Sequence, residues 1–436
     1  MPVKDARGSD DPSLSRVIGV SGVTFTAFNG IVGAGIFGLP ALVAAVLGPG
    51  AIIAYLVCAV LIGLVGLCFA EAGSRVSTSG GLYAYASAAF GPVIGGGAGI
   101  LLLVANCIAP SAALARFVVD TISVAVPAAD AVLPRTALLG AIYFTLAVVN
   151  ISGARRAAQL STLVGYVKLA PLVLLVIFGV FAIHPSNLRW TSIPSLSSVG
   201  QGSVLLFFAF LGVETGLVTG GEVMNPARTI PRAILIALTL VAALYVSLQL
   251  TAQGILGSTL ASSKSPLAAA ATGAFGPLGA TVMLVAAILS GLGYLVADLL
   301  SSPRAVYALA HDRQIPRWFA TVSPRYATPA VAISAYAFTC FLLAASGSFL
   351  QLVILTSSGT LILYLVCCLG VLRLRAKGVA MAGIPFRAPG GPIIPLLATA
   401  IILWLLSTLA VSELAAAAIV IVASVAAYGT REILRK

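Results

Sequence analysis

Apolar residues run along this chain in stretches of about 20, separated by short polar joints, and no stretch alternates with the two-residue period of a strand. The pattern predicts about twelve helices, near 18–46, 50–73, 82–119, 135–152, 157–183, 199–222, 231–258, 270–302, 329–346, 349–371, 391–410 and 412–430. Several exceed the length of a perpendicular membrane crossing, which implies tilt or breaks. Composition agrees, since 60% of the 436 residues are hydrophobic and 8% charged, where an ordinary soluble domain carries roughly 25% charge. The fold class is an all-α membrane protein.

The chain carries 24 Lys and Arg against 12 Asp and Glu, a net charge of +12. With the N-terminus in the cytoplasm, 19 of the 24 fall on the inner side and Arg135, Arg189 and Lys264 on the outer, leaving Arg116 and Lys168 within apolar stretches. That asymmetry places both termini inside a cell membrane. It accounts for the basic balance by topology, so the lipid bilayer is the expected partner and nucleic acid is not. Residues 1–17 contain Lys4, Asp5, Arg7, Asp10, Asp11 and Arg16, a polar cytoplasmic tail and no cleavable signal. All six Cys lie inside apolar stretches without disulfide or metal-ligand spacing. With His184 and His311 in loops and no nucleophile beside a base, neither an enzyme nor a metal or cofactor is expected.

Two spans are poor continuous helices. The first contains Asn29-Gly30-Ile31-Val32-Gly33-Ala34-Gly35-Ile36-Phe37-Gly38-Leu39-Pro40, with four Gly in nine residues, each costing about 1 kcal/mol relative to Ala. The sixth runs Phe207-Phe208-Ala209-Phe210-Leu211-Gly212-Val213-Glu214-Thr215-Gly216, with Gly220-Gly221 beyond. Breaks in spans one and six divide the chain into two five-helix halves, 18–183 and 199–371, followed by two further helices and the C-terminus in 391–436. Irregular backbone at membrane depth survives only where it lines a cavity or is buried in protein. Half-helix N-termini then suit a carboxylate and freed carbonyls suit an ammonium or metal cation, so a zwitterion fits both. Gly63, Gly66 and Gly95-Gly96-Gly97 are read instead as helix-packing positions.

Few ionisable groups remain at depth. Lys168 stands about eleven residues into the fifth span, too central to snorkel, and must either find a partner or titrate. It serves as a proton-coupling site or as a fixed cation on backbone carbonyls. Glu214, at the break of span six, and Asp298, in span eight, face protein or water. Either holds a substrate ammonium or carries a coupling proton, the structural alternatives being a helix-stabilising and a solvated carboxylate. Arg116 and Asp120, like Glu71 and Arg75, are spaced for local i, i+4 ion pairs.

At these residues the chain resembles the amino acid, polyamine and organocation (APC) transporter superfamily along essentially its whole length. The resemblance rests on Gly33-Ala34-Gly35-Ile36-Phe37, on Ser79-Gly80-Gly81-Leu82-Tyr83-Ala84-Tyr85 and on Phe208 to Glu214. Glu222-Val223-Met224-Asn225-Pro226-Ala227-Arg228, Ser302-Pro303-Arg304 and Ile315-Pro316 follow in the family's order. The resemblance implies a 5+5 inverted repeat with discontinuous helices 1 and 6, two appended helices, and alternating access. It implies that Gly33, Ala34 and Gly35 meet a substrate carboxylate. The carbonyls of Ile31, Phe208 and Leu211 would meet the amine, and Phe208 would be an aromatic gate. Ala34 stands where some relatives carry Ser, leaving backbone donors alone. Lys168 matches the position at which a lysine replaces sodium, and Asn106, Pro110 and Asp298 would border the side-chain pocket. The expected activity is sodium-independent secondary transport of amino acids, by proton coupling or exchange. The alternative is polyamine or basic amino acid antiport, the branch the Gly-Val-Glu triplet most resembles.

Overall fold

A computed structural model describes residues 19–76, 81–152, 168–190, 192–212, 226–311, 316–323, 326, 328–381 and 385–413. Among these the chain is helical, with no strand. The helices are α1 (Val20–Ile31), α2 (Gly35–Leu47), α3 (Ile52–Arg75), α4 (Leu82–Phe90), α5 (Pro92–Leu102), α6 (Ala109–Ala125) and α7 (Val132–Ser152). They continue with α8 (Leu169–Gly179), α9 (Leu196–Phe207), α10 (Pro226–Leu256), α11 (Pro266–His311), α12 (Ala330–Ser346), α13 (Phe349–Ala376) and α14 (Ile393–Ser407). Among the described residues six helical runs are long and apolar enough to cross a membrane: Gly35–Arg75, Pro92–Ala125, Val132–Ser152, Arg232–Ser262, Pro266–His311 and Phe349–Ala376. Their outward faces expose Leu56, Phe144, Leu240 and Leu278, which suits lipid and not water. The protein is a multi-pass membrane protein.

The predicted first span is two helices. α1 ends where Val32 leaves the helical region (φ −70°, ψ 84°), and α2 restarts at Gly35. The first run then turns at Gly48, whose φ of 52° is left-handed and so favours glycine. The predicted 82–119 helix is also divided. Gly91 (φ 96°) separates α4 from α5, because the residue before Pro92 is pushed out of the α region. Between α5 and α6 lies a π-helical turn, Leu103–Ile108, just ahead of Pro110, which has no N–H to bond a carbonyl one turn back. In the opposite sense, α11, which is kinked at Gly276 (φ 72°) ahead of Pro277, runs past the predicted end at residue 302. Pro303 removes one helical hydrogen bond, but Val306 and Ala310 are buried, so packing carries the helix on to His311. The predicted twelfth helix lies outside the described residues beyond Glu413.

Buried rings tie the bundle together. Tyr364 of α13 makes edge contacts with Phe69 of α3, centroids 5.0 Å apart, and Phe207 of α9, at 5.6 Å. Arg116 pairs with Asp120 at 2.8 Å, as their spacing predicts, and also donates to the Gly347 carbonyl ahead of α13 at 2.9 Å.

The strongest ionic junction lies at the end of α3. Glu71 is wholly buried and pairs with Arg75 at 2.9 Å, again as the spacing predicts. It also accepts from Arg375 Nε at 2.7 Å and from the Ala388 N–H at 2.8 Å. Arg75 in turn donates to the Val379 carbonyl at 3.2 Å. One carboxylate thereby joins α3 to the end of α13 and to the segment leading into α14. Glu71→Gln keeps the shape but leaves two guanidiniums uncompensated, and removing one partner of a buried pair costs about 3 kcal/mol. The expected outcome is a markedly lower melting temperature in detergent, and an unchanged one would show that the junction adds nothing to stability.

Candidate functional site

The break between α1 and α2 lies against the end of α9. After α1, the Val32 N–H still closes onto the Phe28 carbonyl at 2.9 Å, and the Gly33 N–H folds back onto Ile31 at 2.7 Å. α9 tightens into a 3-10 turn over Phe208–Phe210. Leu211 is then extended (φ −65°, ψ 153°) and Gly212 left-handed (φ 102°). A Cβ on Gly212 would stand 2.6 Å from the Gly30 carbonyl oxygen, so only glycine lets the two breaks approach this closely.

Tyr245 of α10 holds them together. Its fully buried hydroxyl lies 3.0 Å from the Ile31 carbonyl of the first break and 3.0 Å from the Ala209 carbonyl of the second. The Ile31 oxygen accepts from both Gly33 and Tyr245, so of the three carbonyls the resemblance assigns to an amine, this one is already engaged. The Phe208 carbonyl accepts a long bond from the Leu211 N–H at 3.4 Å.

A cavity of about 340 Å³ opens beside the breaks, within the range of small-molecule sites. Its wall brings together Ile31, Gly33, Ala34, Gly35, Asn106, Pro110, Lys168, Phe208, Leu211 and Asp298, every described residue that the sequence assigns to the site. Glu214 lies outside the described residues. Ser290, Ser301 and Ser302 of α11 add hydroxyls that sequence reasoning did not single out.

Lys168 is 9% exposed, and its ammonium donates to the Asn29 carbonyl at 3.1 Å. Asn29 lies in the last turn of α1, where carbonyls lack helical partners and the dipole favours a cation. Across the same break α2 begins at Gly35, whose first amides have no carbonyl one turn behind them. A freed carbonyl end and a freed amide end thus face one cavity.

The cavity is closed on one side by rings. A Cβ on Gly35 would stand 2.9 Å from the Phe208 ring, and one on Gly38 would stand 2.9 Å from Phe117. Phe349 of α13 packs against both rings, with centroids 6.2 Å from Phe208 and 5.5 Å from Phe117. Toward the end where α1 begins and α11 finishes, Gly30 and Ser301 are exposed. Phe208, the expected aromatic gate residue, is therefore packed as one of three rings. Phe117, Phe349 and Tyr245 look like ordinary lipid-span residues in sequence. For Tyr245 the available signal was a phenol in an apolar span, which needs a partner.

A helix broken between α1 and α2, beside the end of α9 and on a cavity inside an apolar helical bundle, fits a membrane permease. The chain belongs to the amino acid permease family of the APC superfamily, which it matches over residues 18–429. It is 31% identical over 426 residues to an uncharacterized transporter of Mycobacterium tuberculosis, covering 97% of this chain and 93% of the relative. The methylthioribose transporter of Bacillus subtilis is 26% identical over 421 residues, 92% of this chain and 90% of the relative. The branched-chain amino acid permease BcaP of Bacillus subtilis is 25% identical over 425 residues, 93% and 90% respectively.

Tyr245→Phe removes the shared donor from two buried carbonyls, at a cost of about 1–2 kcal/mol. The expected outcome is a lower melting temperature together with weakened substrate binding, measured on the purified protein. Loss of stability with unchanged binding would separate the clamp from the site.

Proposed function

We propose that this permease is a secondary active transporter of amino acids working by alternating access, sodium-independent and driven by protons or by exchange. The observation that carries the reading is the Lys168 ammonium on the Asn29 carbonyl at 3.1 Å, a built-in cation at the loose end of α1. An amino acid carboxylate then meets the amides at Gly33, Ala34 and Gly35. Its ammonium meets the Phe208 and Leu211 carbonyls, while Glu214 adds negative charge near the second break. Asn106 and Asp298 border the side chain. On this reading Lys168 is the proton-coupling residue.

The architecture that goes with it is twelve spans in a 5+5 inverted repeat with discontinuous helices 1 and 6. Residues 18–183 and 199–371 form the repeats, 1–17 a cytoplasmic tail, and 391–436 helices 11 and 12 with a cytoplasmic C-terminus. In a cell membrane with both termini inside, the open end of the cavity faces the cytoplasm, and the three rings close the outer side. Asp298 on the cavity wall favours a second reading, a basic amino acid or polyamine antiporter.

Counterflow in proteoliposomes, with neutral and basic amino acids, polyamines and methylthioribose under imposed pH or sodium gradients, tests the reading. Saturable counterflow of an amino acid, indifferent to sodium, is expected. Unsaturable uptake without counterflow would indicate a channel, and counterflow confined to polyamines or to the sugar would replace the substrate class. Lys168→Ala is expected to abolish or uncouple proton-linked uptake, and unchanged proton dependence makes Lys168 a structural cation. Gly35→Leu drives a side chain into the Phe208 ring, so substrate binding is expected to vanish while folded yield is kept. Normal transport by that variant would count against the site.

A further inference from the structure

Asp298 is held in a way that no other described carboxylate shares. It is 6% exposed, and its Oδ1 accepts from Ser302 Oγ at 2.6 Å and from the Tyr336 hydroxyl at 3.0 Å. Its Oδ2 lies 2.8 Å from the same phenol. Ser111 of α6 also faces it, backed by the Tyr143 hydroxyl of α7 at 3.3 Å. Among the described residues no Lys, Arg or His stands within ion-pair distance of it. The titratable groups facing it from the packed helices are Tyr143 on α7 and Tyr336 and Cys340 on α12. Lys168 lines the same cavity.

The contrast with Glu71 is chemical. Glu71 is surrounded by guanidiniums and an N–H, which only donate, so it is satisfied only as the anion. Hydroxyls both donate and accept, so the partners of Asp298 satisfy either charge state. An ionised carboxylate without a counter-charge at membrane depth costs several kcal/mol, and this one borders a cavity that opens to one side of the bundle.

We propose that Asp298, with Ser302 and Tyr336, is a proton-binding site in its own right, a second protonatable group on the cavity beside Lys168. A proton arriving from the cavity forms an O–H bond on Oδ1. That O–H donates to Ser302 Oγ, whose own hydrogen turns to the helix carbonyl one turn behind. The C=O at Oδ2 keeps the Tyr336 hydroxyl as donor. No bond other than O–H forms or breaks, and release runs the same exchange backwards.

The site rests on the transporter reading only for its use in coupling, and protonation is measured without substrate. Infrared difference spectra of the full-length protein in nanodiscs, titrated from neutral to acid pH, read it directly. A protonated-carboxyl C=O band that shifts in D2O is expected in the parent protein and in Lys168→Ala, and is expected to be lost in Asp298→Asn. Tyr336→Phe is expected to retain the band at higher frequency, because the C=O loses its donor, which keeps the test available where Asp298→Asn fails to fold. A parent spectrum without the band, or a band indifferent to both substitutions, overturns the assignment. A positive result with no counterflow of any solute leaves the proton site standing and removes the transporter reading.

Discussion

Lipid offers no hydrogen bonds, so every backbone N–H and C=O released by an interrupted span must be satisfied inside the protein. The centre of this permease follows from that constraint. Part of the released backbone is absorbed locally, by the Gly33 N–H on Ile31 and by the 3-10 turn after α9. Tyr245 takes a carbonyl from each break, and Lys168 takes another from the end of α1. What remains is turned to a cavity. The breaks approach each other because Gly212 has no Cβ to strike the Gly30 carbonyl.

Three buried charges illustrate three ways of placing an ion out of water. Glu71 is neutralised by cations and fixes one end of the bundle. Lys168 is held by a helix-terminal carbonyl, a partial charge that positions it without cancelling it. Asp298 is surrounded by hydroxyls. The partner chemistry orders them from structural to adaptable, and the two without a full counter-ion are the two that line the cavity.

Much of this was legible in the sequence, because membrane burial makes polarity rare and therefore informative. The glycine cluster from Asn29 to Pro40 contains the first break, and scarcity of charge singled out Lys168, Glu214 and Asp298. What was not legible depends on contacts between distant segments. Nothing local distinguishes Tyr245 from other phenols in apolar spans, or Phe349 from a lipid-facing ring. The division at Gly91 and the extension of α11 to His311 follow from competing effects of similar size. At Gly91-Pro92 the backbone preference prevails, whereas at Pro303 burial of Val306 and Ala310 does.

The π-helical turn at Leu103–Ile108 also sets how this span can change over time. A π turn holds one residue more than an α turn, and each α-helical residue advances about 100° around the axis. Residues before and after it therefore present faces offset by roughly that angle. One face carries Leu101 into the core, and the other turns Pro110 and Leu114 to the cavity and Phe117 to the ring closure. Deleting a single residue here would restore a regular helix with both faces kept, whereas winding all of these residues as α-helix would rotate the cavity wall by roughly that angle. The facing of this wall is thus set by how one turn is wound, and not by any side chain alone.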